Sequence, residues 1–467
     1  MYRSIAIPFL CLFLSSGCAK TIGQQQSTSG DALPAVIPSA NSQNPGSTAA
    51  GNNTTASNAP GANPQGQSTQ PSAGPSSPFG KHSAGQHDLN PQAQIYRPRA
   101  VAKHGNRDHS EGDQQNTKQT DLCLKNEATK RGVDFFGTVV RGNALNDDQS
   151  YQDILKKHFN MIAPETELSL TSVCATEKDG TCDFNFEKID KMAQFAIDQK
   201  ISLRGTPLAR PTNNPDWISK KQMDGNDALA LFQKTITSTI QHFSTNFPGL
   251  IQYWDVVSDP LSSLDGKVRL QETPWSIIGG DANPSEYITE AFKSARLADP
   301  KLKLFYTDFD IENPSSNKFV STYMLIKNYI QAKVPIDGIG FKIHGFYGVG
   351  SSQNEMTDAM QRFVDLGLEV QIVELDSPIQ LEDNGTATPS FEKLQSAFYK
   401  KAIAACLNVK ANPNTKLGCT AVVTNGFTDK YWTDEYNTPG LGCPLYFDKD
   451  LKPKAAYASI LEALQGK

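Results

Sequence analysis

The chain has 467 residues, 44 Lys and Arg against 49 Asp and Glu, and a formal net charge of −5 at pH 7. This length exceeds one average domain and suits one large barrel with additional segments. The Lys and Arg residues form no basic stripe along the sequence, which argues against a nucleic-acid partner.

The first 18 residues have the features of an export signal. One Arg precedes a short apolar run, and small residues then lead to a cysteine in LSSGC (14–18). The run is too short to span a bilayer, and this order is typical of a secretory signal peptide. Because LSSGC resembles a bacterial lipoprotein processing site, we predict lipidation of Cys18 and anchoring at the outer membrane or cell surface. The alternative is an ordinary signal peptide and a secreted protein.

Residues 19–121 are dominated by Ser, Gly, Pro, Asn, Gln and Ala, with few large apolar side chains. Such a segment cannot bury enough surface to offset the entropy lost on ordering. We predict a disordered tether that holds the following domain away from the membrane.

Six cysteines lie beyond the signal segment, and an even number in an exported chain predicts disulfide bonds. Cys174 and Cys182 flank the hairpin-like segment ATEKDGT, so we predict a bond between them. The spacing matches no CxxC or Cys/His zinc pattern. We therefore predict neither a metal site nor a cofactor.

From residue 122 onward, short apolar runs alternate with segments of helical periodicity. The predicted strands are 135–140, 160–164, 201–208, 251–257, 304–309, 338–344, 369–375 and 421–427. The predicted helices include 186–199, 227–246, 284–297, 317–332, 355–366 and 391–408. This alternation predicts that 122–467 forms one α/β domain, a (β/α)₈ TIM barrel with its site at the C-terminal strand ends. An open doubly wound sheet is the alternative, although no glycine-rich phosphate loop follows the first strand.

Acidic side chains recur where the predicted strands end. Glu374 follows the apolar run 370–373, and Asp259 ends WDVVSD (254–259). Hydrolysis of a glycosidic bond uses two carboxylates that flank the bond. One such acid is more often structural than catalytic, but several at one rim favour a carboxylate-lined pocket.

The motifs that contain these acids resemble glycoside hydrolase family 10, whose typical members are endo-β-1,4-xylanases. The resembling segments are FFGTVVRGNALND (135–147, the family's opening strand and loop), PETELS (164–169, P-E-N-E-M-K), WDVVSD (W-D-V-V-N-E), IDGIGFKIH (336–344, I-D-G-I-G-x-Q-x-H) and VELD (373–376, T-E-L-D). Residues 426–457 are similar to the family's last strand and closing helix. The resemblance covers essentially all of 122–467.

This resemblance implies a role for each matching position. Glu374 would be the nucleophile, Asp259 stands at the acid/base position, and His344 would hydrogen-bond and orient the nucleophile. The implied substrate-binding residues are Glu165, Arg204, Trp254, Ser258, Lys342 and Trp432. The resemblance also suggests a Cys406–Cys419 bond, which leaves Cys123 and Cys443 as a possible third bond.

Several positions depart from the family's pattern, and the acid/base position is one of them. Asp259 replaces a Glu, which retracts the carboxyl by about one carbon–carbon bond, roughly 1.5 Å. This places the acid pair between the retaining separation of about 5–5.5 Å and the inverting one of about 6.5–9.5 Å. A misplacement of about 1 Å can cost on the order of 100-fold in rate. The other altered positions are Thr166, Ser169, Thr206, Arg210, Pro211, Ser258, Lys342 and Asn425.

The sequence therefore predicts a retaining glycoside hydrolase for a β-1,4-linked, xylan-like polysaccharide, with weakened or altered acid/base catalysis. The alternative is a catalytically impaired surface lipoprotein that binds glycans, and a third possibility is a barrel that binds only proteins. We expect a monomer. Arg210 and Lys342 indicate a pocket for an acidic ligand such as a uronic acid, or side chains that pair with Asp308 or Glu167.

Overall fold

The computed structural model describes residues 122–383, 385–432 and 440–467. The predicted signal peptide, the predicted lipidation at Cys18 and the predicted tether of residues 19–121 lie outside this range. In the part of the chain that is described, no helix is long and apolar enough to cross a membrane.

Eight parallel strands close into a barrel. The strands within the described residues are β1 Phe135–Val140, β2 Met161–Pro164, β3 Thr176–Lys178, β4 Thr181–Asp183, β5 Ser202–Gly205, β6 Ile251–Ser258, β7 Lys303–Phe309, β8 Gly338–His344, β9 Glu369–Asp376, β10 Ile379–Gln380, β11 Cys419–Thr424 and β12 Leu441–Gly442. Around the barrel the order is β1, β2, β5, β6, β7, β8, β9 and β11, and β11 pairs with β1 to close it. The predicted (β/α)₈ barrel is confirmed.

Helices follow the barrel strands along the chain. They are α1 Leu124–Lys130, α2 Gly142–Asp147, α3 Gln149–His158, α4 Leu170–Val173, α5 Glu187–Gln199, α6 Asp216–Lys220, α7 Gly225–Asn246, α8 Glu286–Ala298, α9 Asn317–Gln331, α10 Gln353–Asp365, α11 Pro389–Asn408 and α12 Ala455–Gln465. Three 3₁₀ segments, Leu270–Glu272, Pro274–Ala282 and Phe346–Gly348, complete the list. Side-chain caps fix several helix starts, because they satisfy backbone N–H groups that lack a partner in the first turn. Asp148 caps α3, and Ser352 with Glu355 forms a capping box before α10.

Alternate side chains of the strands enter two separate apolar layers. Phe136 on β1 packs in the large cluster shared with the helices, whereas its neighbour Phe135 points into a smaller cluster inside the barrel. This two-residue alternation is what a barrel strand requires. Gly205 at the end of β5 is needed for packing, since a Cβ there would lie 2.3 Å from the Trp254 ring.

The described part of the chain contains two disulfide bonds, Cys174–Cys182 and Cys406–Cys419. The first closes the β3–β4 hairpin, as predicted. The predicted third bond is wrong, because Cys123 and Cys443 are free thiols. Different contacts hold them: the carbonyl of Cys123 accepts from the first turn of α1, and that of Cys443 accepts from Lys454 Nζ at 2.8 Å.

Candidate active site

The C-terminal ends of β6, β8 and β9 bring the predicted catalytic positions together. In the pairing of β8 with β9, Lys342 lies opposite Glu374, and His344 lies opposite Asp376. Asp259 directly follows β6, and its N–H donates to Thr307 O on β7. Parallel strands that share one register thus place two carboxylates and two basic groups at a single rim of the barrel.

Asp259 has a left-handed backbone, with φ of +57°. Asp and Asn tolerate this region better than most residues do, because their short polar side chains can bond locally. Its carboxylate is buried, and Oδ2 accepts from Lys342 Nζ at 3.0 Å and from Arg210 Nη2 at 3.3 Å. Oδ1 is also buried and has no hydrogen-bond partner among the described residues.

The two cations keep Asp259 ionised. Burial alone would raise the pKa of this carboxyl, but Lys342 and then Arg210 outweigh burial and hold the pKa at about 2. Lys342 responds in the opposite sense: burial lowers its pKa, and the charges of Asp259 and Glu374 more than compensate and raise it. At neutral pH this is a carboxylate–ammonium pair, in which Asp259 is almost entirely ionised and rarely holds a proton for a leaving group.

Lys342 joins both catalytic positions. Its Nζ lies 3.0 Å from Asp259 Oδ2 and 3.1 Å from Glu374 Oε1. Two oxygens that share one nitrogen at these distances are separated by at most about 6 Å, which is below the inverting range of about 6.5–9.5 Å. The ammonium thus bridges the two carboxylates.

The side of the site around Glu374 is ordered by a chain of polar contacts. His344 Nε2 lies 3.8 Å from Glu374 Oε2, an ion-pair distance longer than the hydrogen bond that was predicted. His344 Nδ1 is 2.9 Å from Asp376 Oδ1, and Asn425 Nδ2 donates to Asp376 Oδ2 at 2.9 Å. Burial lowers the pKa of His344, but Asp376 and then Glu374 raise it to about 9. His344 therefore carries a charge at neutral pH, and Glu374 lies between two cations.

The expected partners of Arg210 and Lys342 were wrong. Asp308 pairs with Lys318 at 2.8 Å, and Glu167 accepts from the backbone N–H of Gly142 at 2.7 Å. Neither acid is available to the two cations, which bind Asp259 instead. Burial raises the pKa of Asp308 to about 7, although Lys318 opposes the shift.

Three residues that were predicted to bind substrate are buried, and contacts within the protein hold two of them. Trp254 is fully buried beneath Gly205 and donates its indole N–H to Thr206 O at 2.9 Å. Arg204 binds Asp255 through two nitrogens and also donates to Gln371. Trp254 packs against Phe243 of α7, between the barrel and its helices. Arg204, although buried, lines the same cavity as Glu374.

Ser258 is the third of these residues. It is fully buried at the end of β6, and its Oγ has no hydrogen-bond partner within the described residues. Its side chain is nonetheless close enough to Asp259 to help lower the pKa of that carboxyl.

Glu165 and Trp432 remain at the cleft. A cavity of about 510 Å³ extends from Glu374 to Glu165 and is also lined by Thr206, Arg210 and Asn425. Trp432 lines a small neighbouring cavity of about 30 Å³ that shares Glu165 and Asn425. The structure therefore places both residues beside the predicted reaction centre.

The sequence interpretation missed Arg141, whose guanidinium forms an ion pair with Glu165. Arg141 directly follows β1, so the rule that strand-end residues line the site could have identified it. It also missed Arg269, whose Nη1 donates to the backbone carbonyl of Asp259 at 3.2 Å. No sequence pattern links a loop residue ten positions away to that carbonyl.

A closed parallel barrel with two carboxylates facing one another at its C-terminal rim defines a barrel glycoside hydrolase. The chain belongs to glycosyl hydrolase family 10, whose sequence model matches residues 123–463. The family resemblance is thereby confirmed.

Known members of the family are similar over most of the chain. Endo-1,4-beta-xylanase B of Thermotoga neapolitana is 31% identical over 327 residues, which covers 69% of this chain and 86% of that protein. The endo-1,4-beta-xylanase of Agaricus bisporus is 30% identical over 73% of this chain and 95% of its own length. Xylanase 10B of Thermotoga petrophila, solved in complex with xylobiose, superimposes with a TM-score of 0.65 at 29% identity, covering 76% of this chain and 99% of that one.

Proposed function

We propose that this chain is a glycoside hydrolase acting on a β-1,4-linked, xylan-like polysaccharide, with Glu374 as nucleophile and weak acid assistance from Asp259. The observation that carries the proposal is the ordered environment of Glu374, between Lys342 at 3.1 Å and His344 at 3.8 Å. Two cations stabilise the carboxylate and hold it at the rim where a sugar would bind.

In a retaining reaction, Glu374 attacks the anomeric carbon and forms a glycosyl-enzyme, while the second group protonates the departing oxygen. Water then hydrolyses the intermediate. The first step is limited here by the second group, because Lys342 and Arg210 keep Asp259 ionised. General acid assistance is worth about 10²–10⁴-fold, so turnover of glycosides with poor leaving groups is reduced accordingly.

The same ion pairs favour a second candidate, a catalytically impaired protein that binds glycans. Lys342 forms ion pairs with both carboxylates, and an oligosaccharide could bind the cleft without being cleaved. Polysaccharide remains the partner in both candidates.

The deciding experiment incubates the full-length chain with activated aryl glycosides, whose leaving groups need little protonation. We expect slow release of the aryl group, accumulation of a covalent sugar on Glu374, and loss of both signals in Glu374→Ala. Saturable oligosaccharide binding without release or covalent labelling would favour the binding candidate. Lys400→Gln, which breaks an exposed pair with Glu462 far from the cleft, serves as a control for a lost lysine charge.

We also propose that the protein is exported and anchored to the outer membrane or cell surface through lipid on Cys18. The cysteine that ends the apolar signal segment supports this proposal. Metabolic labelling with a fatty-acid analogue should label the wild-type protein but not Cys18→Ala. Equal labelling of both proteins, or of neither, would contradict lipidation at this position.

A further inference from the structure

Arg210 brings donor groups into the cleft that the protein does not use. Within the described residues, its guanidinium makes one hydrogen bond, from Nη2 to Asp259 at 3.3 Å, and its buried Nε–H has no acceptor. The side chain is 34% exposed and lines the same 510 Å³ cavity as Glu374. A buried donor without an acceptor is unfavourable by about 1–3 kcal/mol. The exposed part of the guanidinium is the part that a ligand in the cleft can reach.

Asp259 does not require Arg210 as its main counter-charge. Lys342 is closer to the same oxygen, at 3.0 Å, and it is almost fully buried whereas Arg210 reaches the cleft. Arg269 adds a third cationic contact, to the carbonyl of Asp259. Some of the N–H groups of Arg210 can therefore donate hydrogen bonds to a bound anion.

The rest of the cavity, as the described residues line it, offers polar contacts but no aromatic ring on which a sugar could stack. The described residues that line it include no aromatic side chain. Thr206 Oγ1, next to the cavity, is a further buried polar atom without a partner in the described part of the chain. The lining mixes apolar side chains such as Leu208 and Val373 with polar and charged ones, so a few polar groups can fix the orientation of a bound sugar.

From this geometry we propose that the cleft binds a glycan that carries a carboxylate, a uronic acid residue, and that Arg210 binds the carboxylate. A guanidinium presents a planar fork that matches the two oxygens of a carboxylate, and such charge-assisted bonds are shorter and stronger than bonds to a hydroxyl. The inference rests on the proposed function, since it names the class of glycan for the same cleft.

Titration calorimetry on the full-length chain tests the proposal. Every protein in the experiment carries the Glu374→Gln substitution, so that the ligand is not hydrolysed. The two ligands are xylotetraose and the same tetrasaccharide with one glucuronic acid substituent. We expect tighter binding of the acidic ligand, and Arg210→Gln should weaken that binding by about 10- to 100-fold while changing the neutral ligand little. Added salt should reduce the preference as well.

Two further variants separate a specific contact from a general charge effect. Arg210→Lys keeps the charge but loses the fork, so it should restore only part of the preference. Arg362→Gln removes an arginine that pairs with Asp358 on α10, and it should leave the preference intact. Equal binding of both ligands, or equal losses for both in Arg210→Gln, would refute the carboxylate site and leave the proposed function standing. Binding of neither ligand would refute both.

Discussion

Replacing Lys342 by Gln tests directly whether the ammonium suppresses catalysis. The pKa of Asp259 is about 2, so at pH 6 about one molecule in 10⁴ carries the proton that a general acid must donate. If loss of the ammonium returns this pKa toward the ordinary value of about 4, the protonated fraction rises about 100-fold, equivalent to about 2.7 kcal/mol. We therefore expect Lys342→Gln to cleave xylo-oligosaccharides up to about 100-fold faster than the wild type.

The leaving group separates acid assistance from other effects. A 2,4-dinitrophenyl glycoside departs without protonation, so its rate should change far less than that of an oligosaccharide. Because the substitution leaves the buried carboxylate of Asp259 with Arg210 as its remaining ion-pair partner among the described residues, it should also destabilise the fold, by up to about 3–5 kcal/mol. Rates must therefore be compared where circular dichroism shows both proteins folded. An equal gain on both substrates, or no gain on either, would show that Lys342 does not act through the protonation of Asp259.

Three further outcomes are expected. Replacing Glu374 by Ala should abolish release from every aryl glycoside, and external azide should restore part of it as a glycosyl azide; release unchanged by the substitution would exclude Glu374 as nucleophile. Removing the Cys406–Cys419 bond by a double Ser substitution should lower the free energy of unfolding by about 3 kcal/mol in denaturant titrations, from the entropy of a loop of about 14 residues; an unchanged midpoint would contradict this. The pKa of His344 is raised to about 9, above the unfolded value of about 6.5, so its stabilisation is complete below about pH 6.5 and is lost as the pH rises through 9. Asp376→Asn should flatten that decline, and an identical pH dependence would show that the pair does not contribute.

The strands could be predicted closely because each is an apolar run between helices. Residues 135–140 and 338–344 were predicted with the bounds that the structure has. The strand predicted at 201–208 was too long, since β5 ends at Gly205. Trp254 packs against Gly205, and Pro207 lacks the N–H that would continue the ladder. Packing between neighbouring strands therefore determines where β5 ends, and the pattern of apolar residues within 201–208 does not reveal such packing.

The residue types of the candidate site were predicted, but their pairings were not. Lys342 meets Glu374 because the register of β8 against β9 shifts between Phe341 and Lys342. Phe341 lies opposite Ile372, so an unshifted register would have placed Lys342 opposite Val373. A one-residue irregularity of this kind changes which side chains face each other, and nothing in the sequence of either strand alone specifies it.

Closure of the barrel depends on residues that are far apart in the chain. β1 pairs with β11, and the Thr424 hydroxyl donates to the Gly137 carbonyl across a separation of 287 residues. Until the segment containing β11 has been synthesised, β1 and β9 each keep an edge of unpaired backbone groups, which can pair with other chains. Contacts of such long range also slow folding. The newly made chain is therefore most exposed to aggregation just before its last strand is added, and truncation ahead of residue 419 should leave the barrel open.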